Sequence, residues 1–251
     1  MTASAIYPDL KGRVVYISGG ATGIGLDLVQ GFAEQESKVV FCDINVEAGE
    51  ELAASLGDHV TFLECDVTDL DALAGVLEHA EDLGGLDVVV NNAGNDLRIP
   101  IEDVDADAFV RTVDINLKHQ FFAAKFASKF MIPRKRGSII NFGSVAPEVM
   151  VPNLAVYSAC KSGARGLTRS LAKDLGQHNI RANSIMPGAI MTPKQREIWY
   201  PTQADIDRMT AMQALPRELD GRDIANMALF LASDVSSGCT GQDFIVDAGI
   251  C

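Results

Sequence analysis

The apolar positions of the chain follow two rhythms that alternate along most of its length. Short continuous apolar runs, rich in β-branched residues, stand at 14–17, 39–42, 60–63, 88–90, 138–142, 180–185 and 243–246. Runs of this length and composition predict strands. Helix-length segments lie between them, at 24–36, 46–56, 69–83, 108–131, 154–176 and 222–233. Strands that are apolar on both sides and separated by helices predict a parallel sheet covered on both faces. The expected fold class is α/β, a doubly wound seven-stranded parallel sheet with its ligands at the carboxyl ends of the strands.

One stretch breaks the rhythm. Residues 191–219 carry Pro193, Pro201 and Pro216 around Trp199-Tyr200, and the stretch is too long for an ordinary connector. Beside a ligand crevice it reads as a substrate lid or as a surface excursion.

Composition narrows the class. A chain of 251 residues with 47% hydrophobic content is expected to form one domain, spanning 1–251. Lys and Arg number 21 against 34 Asp and Glu, a net charge of −13. That balance argues against a nucleic-acid or anionic-membrane partner, since both need a positive field, and points to a small molecule. The chain opens without a basic segment leading into an apolar core, and no apolar run reaches the roughly 20 residues that span a bilayer. The expectation is a soluble cytoplasmic protein. Five cysteines and four histidines are scattered without metal-ligand or C-x-x-C spacing, so neither a disulfide framework nor a metal site is expected.

Two motifs carry chemistry. The first strand runs into Ser18-Gly19-Gly20-Ala21-Thr22-Gly23-Ile24-Gly25 and then a helix. Glycines there let the backbone turn tightly and approach a pyrophosphate, which the free N–H groups of the helix stabilise. Asp43, followed by Ile44, closes the second strand near the position of a ribose-binding acid. A carboxylate there accepts from ribose hydroxyls and repels a 2′-phosphate, so NAD is expected rather than NADP. Its alternative role is a helix N-cap, which Asn45 fills equally well. The second motif is Tyr157-Ser158-Ala159-Cys160-Lys161, with Ser144 upstream. Residues at i and i+4 share a helix face, and a nearby ammonium lowers a phenol's pKa, so the trio outlines a proton-transfer site. Taken alone, the spacing reads equally as a surface Tyr/Lys pair.

With both halves in view the chain resembles the short-chain dehydrogenase/reductase family over nearly its whole length. The matching residues are Gly19-x-x-x-Gly23-Ile24-Gly25, Asp66-Val67, Asn91-Asn92-Ala93-Gly94, Asn116, Ser144, Tyr157-x-x-x-Lys161 and Pro187-Gly188 with Thr192. Ser18 stands where Thr is more usual and keeps the hydroxyl. The resemblance implies a Rossmann fold, an NAD cofactor and four catalytic residues, Asn116, Ser144, Tyr157 and Lys161. It further implies cofactor contacts from Gly19, Thr22, Gly23, Ile24, Gly25, Asp43, Ile44, Asp66, Val67, Asn92, Ala93, Gly94, Tyr157, Lys161, Pro187, Gly188, Ile190 and Thr192. In the family pattern Asn116 kinks its helix to hold a water beside Lys161; the alternative is a polar residue on a solvated face. A homotetramer assembled through the helices of Asn116 and Tyr157 is also implied, and Ala155, Ala159, Gly163, Ala164 and Gly166 permit close packing there or within one subunit.

The segments around Asn95, Asp96 and Arg98 and from Thr192 to Tyr200 look like bacterial aldose 1-dehydrogenases of this family, which oxidise an anomeric carbon to a lactone. Asn95, Asp96 and Arg98 follow the fourth strand at the cleft mouth, where with Ser144 they can read sugar hydroxyls while Trp199 stacks on a sugar face; the alternative for each is ordinary loop polarity or lid packing. Ile99-Pro100 and the run from Val145 to Pro152 make a more apolar wall than a monosaccharide favours, leaving room for a larger cyclic or hydrophobic alcohol or ketone. A non-catalytic NAD(H)-binding regulator would be expected to lose the catalytic set, which is complete here.

Overall fold

The computed structural model of the protein describes residues 5–251. Seven strands form one parallel sheet: β1 (Val14–Ser18), β2 (Lys38–Asp43), β3 (Val60–Glu64), β4 (Leu86–Asn91), β5 (Gly137–Phe142), β6 (Ile180–Pro187) and β7 (Asp243–Val246), in the order β3-β2-β1-β4-β5-β6-β7. The order reverses between β1 and β4. In doubly wound sheets that switch point opens a crevice at the carboxyl edge.

Alternation within the strands explains why both faces are covered. Val15 and Ile17 of β1 join one core with Val39 and Phe41 of β2, while Val14 and Tyr16 join the other with Val40 and Cys42. The first face is closed by α1 (Gly23–Glu34) and α9 (Gly221–Ala232), through Leu28, Phe32, Ile224 and Leu229. The second is closed by α3 (Leu70–Asp82), α5 (His119–Arg134) and the end of α6 (Ala155–Gly176), through Leu73, Leu77, Ala124, Met131 and Leu175. Short polar side chains start the helices. Asn45 caps α2 (Val46–Leu56), Asp69 caps α3, Asp105 caps α4 (Ala106–Val113) and Asp220 caps α9. Each accepts an N–H that the first helical turn leaves without a partner.

Two expectations are corrected. The single helix over 108–131 is instead α4, a π-helical turn at Asp114–Lys118 and α5. The irregular stretch 191–219 contains α7 (Pro193–Ile198) and α8 (Gln203–Thr210), started by Thr192 ahead of a proline and by a Thr202–Asp205 capping box. Its ends are tied together by a bridge between Ile190 and Leu219, and Met191, Ile206 and Met209 form a small core separate from the two main ones. Among the described residues no helix is long and apolar enough to cross a membrane.

Leu28 is fully buried between α1 and the sheet. Leu28→Ala is expected to lower stability by about 2–5 kcal/mol. The measurement is a urea titration in which the midpoint falls at unchanged slope.

Candidate active site

A cavity of about 1150 Å³ lies at the carboxyl edge of the sheet, lined from Gly19 at one end to Ser144, Tyr157 and Ile250 at the other. Pockets for drug-sized ligands span about 300–1,000 Å³, so this one has room for a dinucleotide and a small second ligand. Every cofactor position expected from the sequence lines it, from Gly19 and Thr22 through Asp43, Ile44, Asp66 and Val67 to Pro187, Gly188, Ile190 and Thr192.

The glycine turn is built for close approach. Gly19 has a φ of +65°, and a β-carbon there would lie 2.9 Å from Ala93 Cα. At Gly25 a β-carbon would come within 1.8 Å of the Gly19 carbonyl oxygen, so α1 can start against the turn only as glycine. The turn is held from the side by Asn92, whose Nδ2 donates to the carbonyls of Ser18 (3.1 Å) and Gly19 (2.8 Å), and by Ser18 Oγ, which accepts the Ala93 N–H at 3.1 Å. Asp43 is tied down by the N–H groups of Ala21 (3.1 Å) and Asn45 (3.0 Å). Because Asn45 caps α2, Asp43 is not used as that cap. Among the described residues lining this end, none is basic. Lys38 stands at the far end of β2 and donates to the Leu83 carbonyl. A cradle of close-packed glycines with a carboxylate beside it fits a dinucleotide.

At the other end the π-helical turn brings Asn116 inward. Its Nδ2 donates to Thr112 O (3.0 Å) and Asn95 O (3.1 Å), while its Oδ1 accepts the Asn95 N–H (3.0 Å). A side chain that takes the Thr112 carbonyl competes with the α-helical bond to that carbonyl and widens the turn. Asn116 is fully buried, so it does not stand on a solvated face. Lys161 is also buried and donates from Nζ to Phe142 O at 3.1 Å. A β-carbon at Gly94 would lie 3.0 Å from Asn116 Oδ1 and 3.2 Å from Lys161 Nζ, so the two side chains converge on that glycine.

Ser144 and Tyr157 line the cavity together, near enough for the Ser144 hydroxyl to favour the phenolate, and Ser144 Oγ accepts the Ala146 N–H at 3.1 Å. Burial pushes the Tyr157 phenol up to about 12, against the pull of Ser144 and with a further push from the Asp96 carboxylate. Burial likewise brings Lys161 down to about 8. The expectation that the ammonium sets the phenol's pKa is therefore corrected. Nζ lies 5.5 Å from the ring centroid, and desolvation outweighs it.

The residues assigned to substrate are placed less simply. Asn95 and Asp96 line the cavity, but Asp96 is gripped by α7, accepting from Lys194 Nζ and from Gln195 Nε2, each at 2.8 Å. Lys194 also donates to Asn95 Oδ1 at 3.2 Å. Trp199 does not line the cavity; the Arg98 guanidinium covers its ring 3.9 Å from the centroid. Lys194, Gln195 and Tyr200 lie in the 192–200 segment with no motif to assign them a role, and the spacing of His119 to other polar residues carries no motif either.

A family model described as "Enoyl-(Acyl carrier protein) reductase" matches residues 19–251. The chain is 39% identical to a "Probable galactose dehydrogenase GalD" of Rhizobium meliloti (strain 1021), with 98% of each chain covered. It is 38% identical to a D-xylose 1-dehydrogenase of Caulobacter vibrioides, over 98% of this chain and 99% of that one. A solved structure described as a short chain dehydrogenase/reductase family protein superposes with a TM-score of 0.88 at 33% identity, over 96% of this chain and 98% of the other.

His119 lies beneath the site, fully buried. Its Nε2 is 3.0 Å from Ala93 O, and its Nδ1 has no partner among the described residues. A carbonyl only accepts, so Nε2 carries the proton and the ring is neutral. Burial, aided by the Lys161 charge, holds its pKa down at about 3 against an ordinary 6.5. The neutral ring is the folded-state form, so its stability contribution is complete above about pH 6.5 and lost as pH falls from there toward 3, at up to about 1.4 kcal/mol per pH unit. Unfolding free energies measured across that window are expected to fall less steeply in His119→Gln; an identical slope would show that the imidazole does not charge on unfolding.

Proposed function

The chain belongs to the short-chain dehydrogenase/reductase family, and from that premise we propose that it is an NAD-dependent oxidoreductase taking hydride from a secondary or anomeric hydroxyl, an aldose going to its lactone. Members of this family bind a nicotinamide dinucleotide. The observation that carries the reading is the meeting of Ser144, Tyr157, Lys161 and Asn116 at the end of the cavity whose other end is the glycine cradle.

In the oxidative direction Ser144 and the Tyr157 oxygen hold the substrate hydroxyl, and deprotonated Tyr157 takes its proton. The nicotinamide, when bound, supplies the hydride acceptor. Gly19 to Gly25, Asp43, Asp66, Gly94, Lys161, Gly188 and Thr192 would hold the dinucleotide. Lys161 also presents a buried positive charge beside the site, and Asn116 anchors the Gly94–Asn95 loop against it. The protein thus contributes alignment and a positioned acid–base group.

Asp43, with no basic neighbour among the lining residues of that end, supports NAD over NADP. The galactose and xylose dehydrogenase relatives support the aldose reading. A larger cyclic or hydrophobic alcohol is the second reading, favoured by the Val145, Val149, Val151 and Pro152 wall. Residues 191–219 serve as the substrate lid, bolted to the loop after β4 by Asp96. The proposed homotetramer is supported by exposed Phe109 and Val110 on α4, Phe121 on α5 and the exposed small residues Ala155, Ala159 and Gly166 on α6. Ala164 is buried and Gly163 faces Leu117 of its own subunit.

With the phenol held high, oxidation requires losing a proton that the fold retains. The oxidation rate is therefore expected to climb with pH from about 7 to 10, and carbonyl reduction to run better at the low end. Tyr157→Phe should lose about 10²–10⁴-fold in kcat while NAD still binds by calorimetry; full turnover in that variant removes Tyr157 as the base. For Asp43 the measurement is the NAD to NADP ratio of kcat/KM. A ratio above one that collapses in Asp43→Ser is expected, and a preference for NADP in the unmodified protein refutes the ribose argument.

A further inference from the structure

The substrate end of the cavity has charges of both signs; its carboxylates are matched, but two of its arginines are not. Asp96 is held between Lys194 and Gln195, and Asp114 is paired with Lys118 at 2.9 Å. Arg98 and Arg111 line the same cavity, and neither side chain makes an ion pair or hydrogen bond among the described residues. Arg98 is half-buried, and its Nε is shut away from solvent with no acceptor. Its guanidinium stacks on the flat face of Trp199, at 3.9 Å from the centroid.

A guanidinium stacked on an indole keeps its edge free, and that edge is a planar fork matched to a carboxylate. Leaving a buried donor bare costs more than a hydrogen bond returns, so the arrangement favours a ligand that brings an acceptor. A second donor is at hand. Tyr200 lines the cavity, feels the Arg98 charge, and has no hydrogen bond from its hydroxyl among the described residues. Arg98 and Tyr200 line the same cavity as Ser144 and Tyr157, which puts the Arg98 corner and the proton-transfer group in one chamber. Val149, Val151 and Pro152 give that chamber an apolar wall suited to a ring face. In a chain of net charge −13, two unmatched arginines in a cleft mark the place where an anion is drawn in rather than repelled.

We propose that Arg98 and Tyr200 form a carboxylate subsite, so that the preferred substrate is a cyclic alcohol or hemiacetal carrying a carboxylate on its ring, as an alduronic acid does. This rests on the hydride-transfer reading of the same cavity. Aldoses remain the parent chemistry, and the subsite selects among them by charge.

The test uses matched pairs that differ only in that charge: D-galacturonate against D-galactose, and hydroxycyclohexanecarboxylates against their carboxamides, each assayed for NAD reduction. Which pair is turned over distinguishes a sugar acid from a carbocyclic one. Each acid substrate is expected to exceed its neutral partner by about 10- to 100-fold in kcat/KM, the scale of a charge-assisted hydrogen bond. Arg98→Met keeps an apolar chain over Trp199. It should raise KM for the acid by a similar factor relative to the neutral partner, with the acid-to-neutral ratio of kcat/KM falling toward one, and be partly rescued in Arg98→Lys. Equal kcat/KM for acid and neutral partner, or an unchanged KM in Arg98→Met, overturns the subsite. If no member of either pair is oxidised, the hydride-transfer reading has failed for these substrates. Calorimetric titration of the same compounds into the NAD-loaded protein then decides the subsite alone: acid-selective binding lost in Arg98→Met upholds it, and equal binding of acid and carboxamide overturns it.

Discussion

Everything functional here depends on how the chain satisfies its backbone where β1, β4 and β5 end side by side at the carboxyl edge. A strand that stops in the interior leaves N–H and C=O groups that water cannot reach, and each must find a partner. Side chains from neighbouring elements supply them. Asn92 takes the carbonyls of Ser18 and Gly19, Ser18 takes the N–H of Ala93, and His119 takes the Ala93 carbonyl. Below them Asn91 donates to Asn141, which donates to Thr168, while Gln120 reaches the carbonyls of Asn116 and Phe142. Lys161 completes the layer on Phe142 O. The polar layer fixes the glycine turn, the loop carrying Gly94 and the lysine relative to one another, so the cavity keeps its shape as a consequence of hydrogen-bond satisfaction.

The strands and most helices were legible because their signals are local. Continuous apolar runs define buried parallel strands, and the β1 run ending in a glycine turn announces the close approach that Gly19 and Gly25 permit. Tyr157 and Lys161 were legible as one helix face. What escaped depended on competition between neighbours. The π turn at Asp114–Lys118 goes with the Asn116 side chain taking the Thr112 carbonyl in competition with the α-helical N–H, and a hydrophobic pattern carries no trace of that. The helices α7 and α8 were hidden because three prolines dominate the stretch, although Thr192-Pro193 and the Thr202–Asp205 box are ordinary helix starts. Asp96 was legible as a cleft residue, but its grip by Lys194 and Gln195 spans nearly a hundred positions and belongs to tertiary structure alone.

The same distinction governs the electrostatics. From spacing, a lysine one turn from a tyrosine lowers the phenol's pKa. In the fold both groups are desolvated, and desolvation disfavours each charged form, raising one pKa and lowering the other. The two values move apart, to about 12 and about 8, and at neutral pH the phenol stays protonated and the lysine charged. This is the resting state of a proton donor.

Access to that site rests on a weak closure. The Lys194–Asp96 pair is half open to solvent, with the lysine side chain 49% exposed, and such pairs contribute about 0–1 kcal/mol. The Arg98–Trp199 stack adds about 0.5–1 kcal/mol. These ties between 191–219 and the loop after β4 are small beside the internal cohesion of the segment, whose Met191, Ile206 and Met209 pack on one another and whose ends are joined at Ile190 and Leu219. On the lid reading proposed above, these are the ties that opening breaks, while Ala214 and Leu215, whose N–H groups donate to the carbonyls of Gly249 and Ala248, keep the far end of the segment fixed. An anion seated on Arg98 would strengthen such a lid from within, since it would bond the residue that stacks on Trp199.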